Sequence, residues 1–183
     1  MSKAIELIPL VCTRCQTPIP AEPDEVAWVC AQCGQGLLLD EEKGAAPIAV
    51  NYAAGIPANQ KGWPFWVAAG QVTMSQRRTQ GGSDQGRQAT EFWQPAHRFF
   101  IPAFNSPLDQ IIAWGTSLLQ RPPVLQPGPV SGFAPVILHL EDIQPVAEFI
   151  VLGIEADRKD KIREVDFTLR LSAPELWVLW LGK

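Results

Sequence analysis

The sequence predicts an α+β fold: a small N-terminal unit built around four cysteines, followed by a mostly antiparallel β domain with one or two helices. Three observations carry this reading. All the cysteines of the chain lie within residues 12–33, as two C-x-x-C pairs. "REVDFTLRLS" (163–172) alternates Val165, Phe167, Leu169 and Leu171 with Glu164, Asp166, Thr168 and Arg170, the period of a half-buried strand. "SPLDQIIAWGTSLLQ" (106–120) sets Leu108, Ile111, Ile112, Gly115, Leu118 and Leu119 on one helical face.

The chain has 183 residues, long enough for one ordinary domain with a small appendage. A hydrophobic share of 46% with seven tryptophans would not stay dissolved unfolded, which excludes extended disorder. The expected division is 1–42 for the cysteine unit and 43–183 for the α+β domain. No run reaches the roughly 18–20 apolar residues that cross a bilayer, the longest candidates being 134–140 and 177–181. The N-terminus does not read as a secretory signal. A cytoplasmic protein with no membrane span is expected, and in that reducing compartment paired thiols favour metal over disulfide.

Cys12 and Cys15 form one pair, Cys30 and Cys33 the other. Two residues between thiols allow a tight turn that aims both sulfurs at one ion. "VAWV" (26–29) reads as a strand entering the second turn and "GLLLD" (36–40) as a strand leaving it, with Gly34 and Gly36 supplying unusual backbone angles at the exit. On these residues the segment from about 8 to 40 resembles a zinc ribbon. It departs from the common pattern at Gln16, which stands where a glycine often follows the second cysteine. The resemblance implies one structural Zn²⁺ held by Cys12, Cys15, Cys30 and Cys33. Rubredoxin-like iron, which also uses two C-x-x-C pairs, and disulfides are the rivals.

"DEEKGAAP" (40–47) reads as a linker, "IAVNYAAG" (48–55) and "WPFWVAAGQVTM" (63–74) as strands, and "SQRRTQGGSDQGRQATE" (75–91) as a long polar loop. "FWQPAHRFFIPAF" (92–104) returns to strand character. In the helix of 106–120, Ser106 is the expected N-cap with Pro107 at the first position and Asp109 completing a capping box. A Pro- and Gly-rich connector (121–132) precedes an expected strand, "APVILHL". "EDIQPVA" (141–147) reads as a short helical turn capped by Asp142, and "EFIVLGIEA" (148–156) as a strand, because β-branched and aromatic residues crowd 149–154, although a helix continuing from Asp142 also fits. The strands 163–172 and 176–182 then make an antiparallel meander.

No catalytic constellation emerges. His97 and His139 have no second histidine at ligand spacing, and "GGSDQG" (81–86) fits neither a nucleophile elbow nor a phosphate loop. Aromatic and arginine residues between 62 and 100, with Trp66, Trp93 and Arg98 foremost, suggest a stacking platform for single-stranded nucleic acid as an alternative to a packed core. Charge argues against that partner. Residues 1–44 hold three basic and seven acidic residues, whereas the remainder is balanced at twelve of each. An acidic ribbon repels phosphate, which leaves capping of the larger domain or docking to another protein; the expected role is a non-catalytic interaction or assembly subunit docking to a protein partner, with Asp40, Glu41 and Glu42 in the docking surface.

Overall fold

The computed structural model describes residues 8–79, 84–158 and 162–182. Strands β1 (Ala27–Val29), β2 (Gly36–Asp40) and β3 (Gly44–Ile48) form an antiparallel sheet in that order. The expected linker is therefore partly a strand. Asp40 pairs with Gly44 across a tight turn, closed where Asp40 Oδ1 accepts the amides of Glu42 and Lys43 at 3.0 and 2.9 Å. Gly44, at φ +81°, supplies the left-handed residue the turn needs. Gly36 serves differently from expectation: its φ is ordinary, but a Cβ there would strike the Ile48 carbonyl and lie 2.9 Å from Val50 Cγ2.

The second sheet is organised by β5 (Trp63–Thr79), which carries β6 (His97–Pro102) on one edge over Phe65–Gly70. Two strands lie against β5 in tandem: β7 (Ile162–Leu171) pairs with its distal half and β8 (Glu175–Leu179) with Trp63–Val67. The expected meander is not formed, because β7 and β8 pair with β5 and not with each other. The break between them at Ser172–Pro174 is held where Ser172 N donates to the Ala69 carbonyl at 2.7 Å and Ala69 N donates to Ser172 Oγ at 3.0 Å. Strand β4 (Val50–Tyr52) adds to β8 in parallel.

Among the described residues three helices accompany the sheets: α1 (Asp84–Trp93), α2 (Leu108–Gln120) and α3 (Ile143–Ala156), the last entered through a 3-10 turn at Leu140–Asp142. Four expectations are corrected here. The described residues of the polar stretch 75–91 are strand and helix, not loop: β5 runs to Thr79 and α1 begins at Asp84, anchored by buried Ala89 and Trp93 one turn apart. Residues 148–156 are helical, not a strand. Ile143, Ala147, Ile150, Val151 and Ile154 fall on one buried face, and that packing overrides the strand preference of β-branched residues. Residues 134–140 form no strand either. Their extended backbone divides its bonds, the Val136 carbonyl accepting from Val26 N at 2.8 Å while Ile137 N donates to Ala103 O at 2.7 Å. Helix α2 is capped at Pro107 with no side-chain bond, so the expected Ser106 capping box is absent.

The main core lies between one face of the large sheet (Trp66, Val72, Phe99, Ile101) and α3, and it includes Val26 and Ala27 of the ribbon side. The opposite face, through Phe65, Val67 and Phe100, packs on Phe104, Trp114 and Leu125. Helices α2 and α3 touch through glycines. A Cβ at Gly115 would overlap the Ile150 side chain, and one at Gly153 would lie 2.6 Å from Ile112 Cγ2. Gly115→Ala should therefore destabilise the protein by about 1–3 kcal/mol through overpacking, despite the roughly 1 kcal/mol gain in helix propensity. Thermal melts of the variant would measure it, and an unchanged or raised Tm would show that the helices can part without loss.

Candidate metal centre

The first C-x-x-C turn closes where Gln16 N donates to Cys12 O at 2.9 Å, the second where Gly34 N donates to Cys30 O at 2.8 Å. Each is followed by a left-handed residue, Gln16 at φ +61° and Gly34 at φ +72°. The two turns are thus equivalent in backbone, and Gln16 adopts the conformation a glycine takes more easily. Gln16→Gly should stabilise the ribbon by up to about 1 kcal/mol, the strain relieved exceeding the entropy glycine loses on folding. A higher concentration of chelator needed to strip the metal would register this; easier stripping would mean the glutamine side chain contributes more than its strain costs.

The turns face each other. Cys12 and Cys33 sulfurs lie 3.5 Å apart, as do those of Cys15 and Cys30, and all four lie within 4.8 Å of one another. The cysteines are free thiols. A tetrahedral ion with metal–sulfur bonds of about 2.3 Å requires sulfurs about 3.8 Å apart, so the donor set fits a four-coordinate metal. Trp28, Leu37 and Ala45 bury the cluster from the sheet side.

The surroundings differentiate the thiols. At Cys15 the Thr17 hydroxyl, 3.2 Å from Sγ, and the Thr17 amide favour the thiolate and lower its pKa to about 6. At Cys12 burial acts upward, but the amides of Cys15 and Arg14 and the contact with Cys33 outweigh it, and its pKa is lowered. The Gln35 amide acts downward at Cys33, yet burial and the neighbouring thiols push it up to about 12. The thiolate is thus favoured at Cys12 and Cys15 and opposed at Cys33, where a cation would balance it.

The other expected site residues are dispersed. Asp40 is engaged in the β2–β3 turn, whereas Glu41 and Glu42 are exposed beside it. Trp66 and Trp93 are buried, not presented as a stacking platform. Trp66 Nε1 donates to Leu138 O at 2.9 Å and Trp93 Nε1 to Glu155 Oε1 at 2.7 Å. Arg98 is exposed on β6. His97 stacks on Phe92 with its Nε2 2.6 Å from the Phe92 carbonyl oxygen, and His139 is exposed before the 3-10 turn. Residues 81–83 of "GGSDQG" lie outside the described residues.

One charged cluster escaped the sequence reading. Glu155 is fully buried, accepting from Arg77 Nε at 2.9 Å and from Arg158 Nε and Trp93 Nε1 at 2.7 Å each. It joins α3 to α1 and to the distal half of β5. No helix among the described residues is long and apolar enough to cross a membrane. No protein-family model, curated protein or solved structure matches the chain.

Proposed function

We propose that the chain is a non-catalytic interaction or assembly subunit, in which Cys12, Cys15, Cys30 and Cys33 hold one structural Zn²⁺ and the acidic ribbon docks to another protein. The observation that carries the reading is the enclosure of four sulfurs within 4.8 Å of one another. Four thiolates saturate a tetrahedral ion, leaving no position for a substrate or activated water. A reducing compartment such as the cytoplasm suits four free thiols. The same donor set would accept iron, and native mass spectrometry with a visible spectrum separates the two: one colourless zinc per chain supports the reading, and a coloured iron centre replaces it with electron transfer.

Single-stranded nucleic acid is disfavoured, because the rings that would stack on bases are core residues and the ribbon is acidic. Docking is tested at Glu41 and Glu42. Asp40 must stay, since its carboxylate closes the β2–β3 turn. Replacing Glu41 and Glu42 by serine should leave metal content and Tm unchanged and weaken capture of a basic partner by about two- to tenfold at low salt, in line with exposed charges contributing up to about 1 kcal/mol each. Capture indifferent to the variant and to salt would reduce the acidity to a solvated face and the ribbon to a stabilising cap.

A further inference from the structure

We propose that the cleft between β1 and residues 130–135 receives an extended segment of a partner protein, paired as an added strand between Val29 and Phe133. The inference rests on the docking reading and names its site. Leu39 N donates to Val26 O at 2.7 Å and Cys30 N to Gln35 O at 2.9 Å, which fixes the phase of the β1–β2 ladder. In an antiparallel pair such bonds fall on alternate residues, so Val29 turns its N–H and C=O away from β2. On the other wall Gly62 N donates to Gly132 O at 2.8 Å and Ala134 N to Gly62 O at 3.0 Å. The same alternation turns the N–H and C=O of Phe133 away from Gly62. Neither Val29 nor Phe133 has a hydrogen-bond partner among the described residues.

Between these two open edges lies a cleft of about 490 Å³, with Ile19, Trp28, Val130 and Pro135 among its apolar walls. The other edge strand of the ribbon sheet, β3, carries Pro47, which cannot donate to an added strand, whereas β1 carries no proline and is bridged to Val136 at Ala27, which leaves its Val29 end for the added strand. Charge selects the occupant. Glu25 lines the cleft, its Oε2 accepting from Trp28 Nε1 while Oε1 has no partner among the described residues. Glu22 and Asp24 are exposed beside it, and among the described residues no Lys or Arg lines the cleft. The fitting segment is therefore apolar at alternate positions and carries a lysine or arginine near Glu25. Main-chain bonds then give affinity and the walls give selectivity.

The test is selection of random dodecapeptides displayed on phage against the zinc-loaded full chain. Expected are peptides of that pattern whose binding shifts the amide resonances of Val29 and Phe133. N-methylation at alternate peptide amides should weaken binding at least about tenfold, because each methyl removes a main-chain bond and strands its acceptor. Val130→Arg, at a side chain 78% exposed, should weaken the basic peptides while leaving the metal content intact. The proposal is overturned if no peptide is selected, if methylated peptides bind equally, if the shifts lie elsewhere, or if the cleft proves to be filled by a second copy of the chain in solution. Such a failure with the Glu41 and Glu42 effect preserved would remove the cleft and keep the docking reading; loss of that effect with strand pairing intact would mean that Glu41 and Glu42 are not the docking surface.

Discussion

Cys30→Ser is expected to abolish metal binding and to lower the stability of the whole chain by on the order of 5 kcal/mol, a fall in Tm of about 10–20 °C for a protein of this size. The side chain sits in a cluster of very small extent, with Cys12, Trp28, Leu37 and Ala45 as its buried members. Too little apolar surface is present there to fix the turns without an ion. The loss should reach further than the ribbon. Val26 and Ala27, immediately before the second cysteine turn, are 2% exposed within the main core, and Val26 N donates to Val136 O. A ribbon that loosens therefore withdraws atoms from the sheet–helix core. Amide exchange of Val26 alongside the melt checks both parts. A metal-free variant with an unchanged Tm and a protected Val26 would show that the ion adds nothing to folding.

Glu155→Gln should cost about 3–5 kcal/mol, because it removes the charge that balances two guanidinium groups in a water-poor site. The arginine side chains are 9% and 15% exposed, so solvent compensates them poorly. Trp93→Phe keeps the ring and loses only the Nε1 donor, for which about 1.5–3 kcal/mol is the ordinary cost of a bond to a charged group. The two variants combined should fall short of the sum of their separate costs, since they share one carboxylate. Denaturant melts of the three proteins give the comparison. Full additivity would mean that Trp93 and Glu155 act independently despite their 2.7 Å contact.

What could be read from the sequence was whatever announces itself locally. The C-x-x-C spacing, the alternation in 163–171 and the apolar face of 108–120 each encode their outcome within a few residues, and the four sulfurs, β7 and α2 follow. What escaped was decided at a distance. Helix α3 carries Phe149, Ile150, Val151 and Ile154, a strand-like composition, and is helical because one face meets the sheet and Gly115 admits Ile150. Residues 75–79 read as loop because their polar side chains hide a backbone bonded to β7. The alanines and proline of β3 carry no strand signature, and its register comes from β2. Glu155 lay in a segment read as a strand and carried no local mark of burial. Its partners Arg77 and Trp93 are far away in sequence, so no local pattern could reveal it. Burial likewise decided the aromatic segments, which packing and a nucleic-acid platform explain equally well by composition alone.

The tandem docking of β7 and β8 on β5 bears on synthesis. Gly70 meets Leu171 and Phe65 meets Trp177, so one long edge of β5 has its partners roughly one hundred residues downstream. At about 5–20 residues per second, a ribosome exposes that edge for about 5–20 seconds before its complement exists. During the interval Trp63, Phe65 and Trp66 stand on a strand that has β6 along one edge and nothing along the other, while the cysteine ribbon, already complete in its own sequence, can take up its ion. The nascent chain is then metal-loaded at one end and open to aggregation in the middle, a state that chaperone binding to residues 63–79 would shelter and that the arrival of residues 162–179 ends.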